Sequence, residues 1–291
     1  MRRPVTPQPT NQLTASLCIP ARNEAASIGD LIDAARRELW EPGTVDEIVV
    51  IDDGSDDLTA FEAALAGATV VSSAALMIEV GPSCGKGDAM WRSLATSTGD
   101  LIVWCDGDIR DFDVRRLGLL LQPLRSDPDI EMVKGYFRRV NADGLPTDGG
   151  RVSELVARPL LSLLMPIAAD IREPLSGMFA MRRTAAESLS FESDYGVDIG
   201  LLLDTIAKWG RSSVVEVDLG VLAHRNQPLD RLALQAAAVE RSILTRCGLD
   251  HAQLGKTLRR PRHSSGGGIE VISAPVRRPM AEYRCREFST R

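Results

Sequence analysis

The stretch Leu101–Phe112, LIVWCDGDIRDF, decides the fold. Its apolar run, Leu101-Ile102-Val103-Trp104, reads as a buried strand. The strand exits into Asp106-Gly107-Asp108. Two carboxylates flanking one small residue at the end of a core strand are hard oxygen donors, suited to a divalent cation that can in turn hold a diphosphate. The same three residues also fit a plain strand-end turn with two solvated Asp. The signals upstream tip the balance.

Upstream, strands alternate with helices. Leu13–Ile19 (LTASLCI) reads as a first strand, stopped by Pro20 and followed by the loop Ala21-Arg22-Asn23-Glu24. From Ser27 a helix puts Ile28, Leu31, Ile32, Ala35 and Leu39 on one face. Val45–Ile51 (VDEIVVI) is a second strand, ending in the acidic turn Asp52-Asp53-Gly54-Ser55-Asp56-Asp57. A helix over 58–66, a short strand over Ala68–Ser72, a Gly-rich loop over Gly81–Asp88 (GPSCGKGD) and a helix over Ala89–Thr96 follow. This alternation predicts a parallel, doubly wound α/β sheet. Ligands of such sheets sit beyond the carboxyl ends of the strands, where these loops lie.

Lys86, between Gly85 and Gly87, is not in a Walker A loop, because Gly and not Ser or Thr follows it. It fits either a solvated surface position or a contact to a phosphate or base carbonyl. Asp52 and Asp53 fit either a solvated turn or hydrogen bonds to the base or ribose of a nucleotide. The first strand runs into Pro-Ala-Arg-Asn-Glu instead of a Gly-x-Gly-x-x-Gly turn, which argues against hydride transfer on a dinucleotide.

Downstream, a helix is expected near Val114–Pro123 and a strand over Ile130–Val140 with a basic end at Arg138-Arg139. The loop Asn141–Gly150 feeds Arg151-Val152-Ser153-Glu154 and an apolar helix over Leu155–Met165. Glycines, an Arg and a Ser at a helix start suit an anion, and equally suit a simple N-cap beside a solvated Arg. Pro174–Met181 (PLSGMFAM) is an apolar segment around Gly177. Asp198 opens a Leu-rich helix over Ile199–Trp209, where an acid is favourable in any case. Ser213–Leu222 reads as a strand delivering His224-Arg225-Asn226 to its end, where imidazole can join carboxylate oxygens around Mg²⁺ or Mn²⁺. Leu229–Cys247 is a long helical stretch, and 251–291, rich in Arg, Gly, Ser and Pro, is expected to be an irregular tail.

The composition, 44% hydrophobic and 25% charged with a formal net charge of -6, is that of a globular protein and argues against a nucleic-acid surface. No apolar run approaches the ~20 residues of a membrane span. Residues 1–12 read as a disordered lead-in without the apolar centre of a signal peptide. Five widely spaced Cys without a Cys-x-x-Cys give no sign of a zinc site or disulfide framework. Cys18 and Cys105 read as small core residues in a reducing cytoplasm.

In chain order, IPARNEAASIG, VVIDDGSDD, GKGDAMWRSL and WCDGDI resemble the nucleotide-sugar domain of GT-A glycosyltransferases. GGRVSELVARPLL, YGVDIGLLLDT and VDLGVLAHRNQPL narrow the resemblance to the glucosyl-3-phosphoglycerate synthases, over roughly Leu13 to Cys247. The resemblance implies a Rossmann-like, mostly parallel sheet flanked by helices with a helical C-terminal extension. A nucleotide-sugar half would span 13–112 and an acceptor half 113–250 of one domain. The implied reaction is metal-dependent transfer of glucose from UDP-glucose to the 2-hydroxyl of 3-phosphoglycerate, with retained configuration.

Under this resemblance Pro20, Ala21, Arg22, Asn23 and Glu24 line the uridine and diphosphate, and Asp52, Asp53, Gly85 and Lys86 contact the nucleotide. Asp106 and Gly107 belong to the donor site, with Leu175 and Gly177 bordering the sugar; Asp108 and His224 hold Mg²⁺ or Mn²⁺. Gly150, Arg151, Val152, Ser153 and Asn226 hold the phosphate and carboxylate of the acceptor. Asp198 and Asp106 are the expected catalytic carboxylates. The implied partners are a UDP-sugar, a small phosphorylated acceptor and a second copy of the chain in a homodimer, with no nucleic acid and no membrane.

The chain departs from the family's usual residues at Asp198 (usually Glu), at Ser176-Gly177-Met178-Phe179 (usually Gly-Gly-Glu-Tyr or similar), at Ser153 (usually Thr) and at Gly107 (often Ser). The first two border the sugar and acceptor, so the same donor with another small phosphorylated acceptor is the alternative expectation. A sugar nucleotidyltransferase would want a Gly-rich phosphate loop after the first strand, which PARNE does not supply.

Overall fold

The structure, a computed structural model, describes residues 13–83, 85–140, 145, 149–223, 229–249, 257–261, 269–273 and 277–279. Its strands are β1 (Ala15–Ala21), β2 (Glu47–Asp52), β3 (Thr69–Ser72), β4 (Leu101–Trp104), β5 (Met132–Val140), β6 (Phe179–Arg182), β7 (Ser190–Glu192), β8 (Val214–Ala223), β9 (Thr257–Pro261), β10 (Ile269–Ser273) and β11 (Arg277–Pro279). Its α-helices are α1 (Ile28–Ala35), α2 (Thr59–Leu65), α3 (Lys86–Thr96), α4 (Leu121–Ser126), α5 (Arg158–Leu164), α6 (Arg183–Ala186), α7 (Val197–Trp209) and α8 (Leu229–Arg246).

Seven strands make one sheet in the order β3-β2-β1-β4-β6-β5-β8. β1 runs parallel to β2 and β4, β2 to β3, and β5 to β8. The parallel expectation is corrected at β6, which runs antiparallel to both β4 and β5. The segment read only as apolar, Pro174–Met181, supplies most of this reversed strand and brings Gly177 beside the end of β4.

The sheet is covered on both faces because its strands are apolar at successive positions. Leu17, Ile19, Val50, Leu101 and Val103 join the core that contains Ile28, Leu31, Ile32 and Ala35 of α1 and Leu121 and Leu124 of α4. Cys18, Val49, Ile51, Ile102 and Trp104 join the opposite core, with Met90, Trp91 and Leu94 of α3 and Leu201 and Leu202 of α7. Odd and even residues of one strand thus serve different layers, as the two-residue period requires. Strand order reverses around β1: β2 lies on one side of it and β4 on the other. The loops after β1 and β4 flank this switch point, where ligands of such sheets bind.

α3 starts at Lys86, earlier than the helix expected from Ala89. α8 packs its Val239 and Ile243 into the core shared with α7, so its apolar face is accounted for within the chain. The expectation of an irregular 251–291 is corrected where the tail is described. β9 pairs with β10, and β11 pairs antiparallel with β7, Arg278 opposite Phe191. Backbone hydrogen bonding to a strand already in place lets a Pro- and Arg-rich segment become a strand without an apolar pattern of its own. Among the described residues no helix is long and apolar enough to cross a membrane.

Candidate active site

β4 delivers Asp106 to the carboxyl end of the sheet, and α3 delivers Lys86 to the same point. Lys86 Nζ lies 2.8 Å from Asp106 Oδ1 and 2.8 Å from Asp198 Oδ2, the latter on the first turn of α7. One ammonium therefore bridges two carboxylates from different elements. The Asp106 side chain is 37% exposed and that of Asp198 only 7%, so a ligand arriving from solvent meets Asp106 first. Asp198 Oδ1 is buried and has no hydrogen-bond partner among the described residues, an acceptor left open for a hydroxyl group.

Two glycines make the approach possible. A Cβ on Gly177 would stand 2.3 Å from Asp106 Oδ2, and a Cβ on Gly87 would stand 1.9 Å from the Glu192 carbonyl oxygen. Any side chain at the first displaces the carboxylate, and any at the second pushes α3 off β7.

Burial alone would push the Lys86 ammonium down, but Asp106 and Asp198 outweigh it and hold the group above its ordinary value. Lys86 thus stays charged. Burial pushes the Asp198 carboxyl up, against the pull of Lys86 and Lys134. Lys134, on β5, is buried; it donates to the Ser176 carbonyl at 2.6 Å and lies 4.6 Å from the centre of the Phe179 ring. Burial pushes it down to about 8, with Asp198 opposing the shift. Sequence reasoning missed Lys134; its signal was a lone cation inside the apolar run MVKGYF. Cys105, next to Asp106, is fully buried, and burial holds its thiol well above the ordinary range.

The expected nucleotide loops are tied to one another. Asn23 adopts a left-handed conformation (φ 57°), donates its N–H to Ser55 Oγ at 3.0 Å and accepts the Asp56 N–H at 2.8 Å. The Glu24 N–H goes to Thr59 Oγ1 at 2.8 Å, and Ser27 Oγ donates to the Gly107 carbonyl at 3.2 Å, linking α1 to the end of β4. Pro20 and Ala21 end β1, and Arg22 is exposed. Asp52 accepts the Ser55 N–H at 3.3 Å. Asp53 is buried and accepts the hydroxyls of Ser73 and Ser83; burial raises its carboxyl. Neither Asp is a solvated turn residue.

A second cluster stands at the start of the helical turns leading into α5. Ser153 Oγ donates to Glu173 Oε1 at 2.9 Å, and Arg139 Nη2 lies 3.4 Å from Glu173 Oε2. Gly150 is close enough that a Cβ there would meet Ser153 Oγ at 3.2 Å and Arg139 Nη2 at 3.4 Å. Val152 and Leu175 are half-buried against the core, and Arg151 is exposed. Glu173 was not anticipated; it sits in a loop with no periodic pattern around it.

Asp108 is exposed at the mouth of the site. His224 and Asn226 lie outside the described residues. Among the described residues no three His, Cys, Asp or Glu side chains are grouped to hold a metal ion. The oxygen donors of Asp106 and Asp108, set on the two sides of a small residue, nevertheless fit the preferences of Mg²⁺ or Mn²⁺.

The family pattern described as glycosyl transferase family 2 matches residues 16–189. The chain is 42% identical over 247 residues to glucosyl-3-phosphoglycerate synthase of Mycolicibacterium smegmatis, across 84% of this chain and 81% of that protein. It superposes, with a TM-score of 0.83 and 39% identity, on the Mycobacterium tuberculosis glucosyl-3-phosphoglycerate synthase crystallised with Mn²⁺, UDP-glucose and phosphoglyceric acid, across 94% of this chain and 91% of that one. The same enzyme with Mg²⁺ and UDP matches with a TM-score of 0.83 and 38% identity, across 94% and 92%. The chain belongs to glycosyl transferase family 2 and, within it, to the glucosyl-3-phosphoglycerate synthases.

Proposed function

We propose that this protein transfers glucose from UDP-glucose to the 2-hydroxyl of 3-phosphoglycerate with retention of configuration. The observation that carries the reading is the Lys86 bridge between Asp106 and Asp198 at the switch point of the sheet. The similarity to an enzyme crystallised with that donor and acceptor supports it. Asp108 and His224 would hold the divalent cation, with Asp106 beside them. When bound, the cation offsets the negative charge that develops on the departing diphosphate.

The chain's own groups do the rest. Lys86 offsets part of the charge of two carboxylates that would otherwise repel a diphosphate and each other more strongly. Asp198 Oδ1, without a donor among the described residues, takes a hydroxyl of the sugar or acceptor and fixes its orientation. Arg151 and the backbone at Gly150 pin the anionic acceptor, which is catalysis by positioning. No side chain stands out as a covalent nucleophile, so the acceptor hydroxyl attacks the face the diphosphate leaves, and a departing phosphate oxygen takes the proton.

A second reading keeps the donor and changes the acceptor. Glu173 favours it: this carboxylate holds Ser153 and faces Arg139, adding negative charge beside the groups assigned to an anion. We further read the protein as cytoplasmic and as a homodimer; exposed Leu155, Leu163 and Ile167, within thirteen residues of one another, support the dimer, and light scattering in solution checks it.

The test is a product assay by mass spectrometry with UDP-glucose, Mg²⁺ and 3-phosphoglycerate, and with no-acceptor and chelator controls. A hexosyl-phosphoglycerate that vanishes with chelator is expected. UDP release without it moves the reading to the second acceptor class, and absence of both sinks the donor assignment.

A further inference from the structure

The C-terminal strand reaches the helix that carries Lys86. β11 lies against β7, and Arg278, only 7% exposed, brings its Nε within 3.0 Å of Asp88 Oδ1. Asp88 is fully buried on the first turn of α3, two residues after Lys86. Its other oxygen takes Arg92 Nε at 3.2 Å. Arg92, also fully buried, spends its remaining donors on backbone carbonyls: Ser73 at 3.0 Å, Leu76, and Gly81 at 2.8 Å. Those carbonyls lie along the segment leading into the Gly-rich loop, and Ser73 and Ser83 from the same stretch donate to Asp53.

The chain of contacts therefore runs from the tail through one carboxylate and one guanidinium to two groups assigned to the donor, Asp53 and Lys86. Asp88 and Arg92 already form a neutral i, i+4 pair without the tail. Arg278 adds a second cation to a buried carboxylate that already has one. A planar guanidinium fixes a carboxylate's rotation better than a point charge.

We propose that Arg278 is a positioning residue for the nucleotide-sugar donor: through Asp88 and Arg92 it sets the 73–86 segment that presents Asp53 and Lys86. The inference rests on the donor reading above. It requires the tail to act on the donor and not on the acceptor, whose cluster at Ser153, Glu173 and Arg139 has no contact in this relay.

The test uses the full-length chain as Arg278→Ala and Arg278→Lys. Hydrogen exchange over 73–86 is measured first, then KM for UDP-glucose and for 3-phosphoglycerate, with Tm alongside. For Arg278→Ala we expect faster exchange in 73–86 and a donor KM raised about tenfold, the loss of one charge-assisted bond. Acceptor KM stays within about twofold. Arg278→Lys, which keeps the charge and guards against an unfolded Ala variant, recovers part of the donor KM. Unchanged exchange in 73–86, or equal changes in both KM values, overturns the proposal. If the wild type does not turn over UDP-glucose, the donor reading fails by itself, and the exchange measurement still decides whether Arg278 orders the segment.

Discussion

At the amino ends of the central strands, Asp46 takes the Ala15 N–H at 2.9 Å, Asp100 takes the Thr14 N–H and hydroxyl at 3.0 and 2.8 Å, and Glu47 takes the hydroxyls of Ser16 and Thr98 at 2.6 and 3.0 Å. At the carboxyl ends, Asp106 and Asp198 share one ammonium, and an oxygen of Asp198 has no donor among the described residues. The acids at the first end stitch neighbouring strands together through backbone N–H and hydroxyl donors of segments far apart in sequence. Those at the second end share one ammonium, with Lys134 also pulling on Asp198, and among the described residues one carboxylate oxygen stays open, an arrangement that costs stability and suits a ligand-binding site. The difference separates acids that build the sheet from acids that use it.

The comparison breaks most readily at Lys86. Lys86→Met leaves Asp106 and Asp198 without their shared cation and should lower kcat/KM by about a hundredfold or more; UDP release in steady state measures it, and a change of only a few fold would return the bridge to a purely structural role. Asp198→Ala should likewise abolish most turnover, and near-normal kcat would remove Asp198 from the mechanism. Gly177→Ala puts a methyl where the Asp106 carboxylate lies, so we expect a loss of about tenfold to a hundredfold in kcat with UDP-glucose and acceptor both saturating. At the opposite end the pattern should invert: Glu47→Ala should cost about 1–2 kcal/mol in denaturant unfolding and leave kcat/KM unchanged.

The smallest effect is one of pH. Lys134 is pushed down to about 8 from an ordinary 10.5. Between those values the unfolded chain still binds a proton that the folded chain has released, so stability rises with pH through this window. Wild type measured against Lys134→Met should gain stability from pH 8 to 10.5. A difference that stays flat would mean that Lys134 keeps its proton throughout.

Much of this arrangement was legible in the sequence, for definite reasons. The first, second and fourth strands are apolar runs followed by turn residues, and their loops fall at one edge by topology alone, although β1 runs on through Pro20 to Ala21 and β2 through Asp52. Lys86 was singled out by its two glycines, although spacing could not tell a solvated Lys from a bridging one; that depends on Asp198, 112 positions away. Phe179–Arg182 was not read as a strand because it overlaps the apolar segment Pro174–Met181, with no turn residue directly before Phe179 to mark where the strand begins. Arg278 was hidden for another reason: a strand that borrows its order from β7 needs no apolar signature. Lys134 was missed although a lone cation in the apolar run MVKGYF marked it, and Glu173 was missed because its loop carries no pattern, only partners.

Cys105 carries a last consequence. Peroxides and alkylating agents attack the thiolate, and the rate follows access and ionisation. This sulfur is enclosed beside Asp106 and burial pushes its ionisation up, so it offers them little access and little thiolate. The donor carboxylate therefore has a neighbour that oxidants cannot convert into a bulky sulfinate, and oxidative stress that silences thiol-dependent enzymes finds no entry at this position.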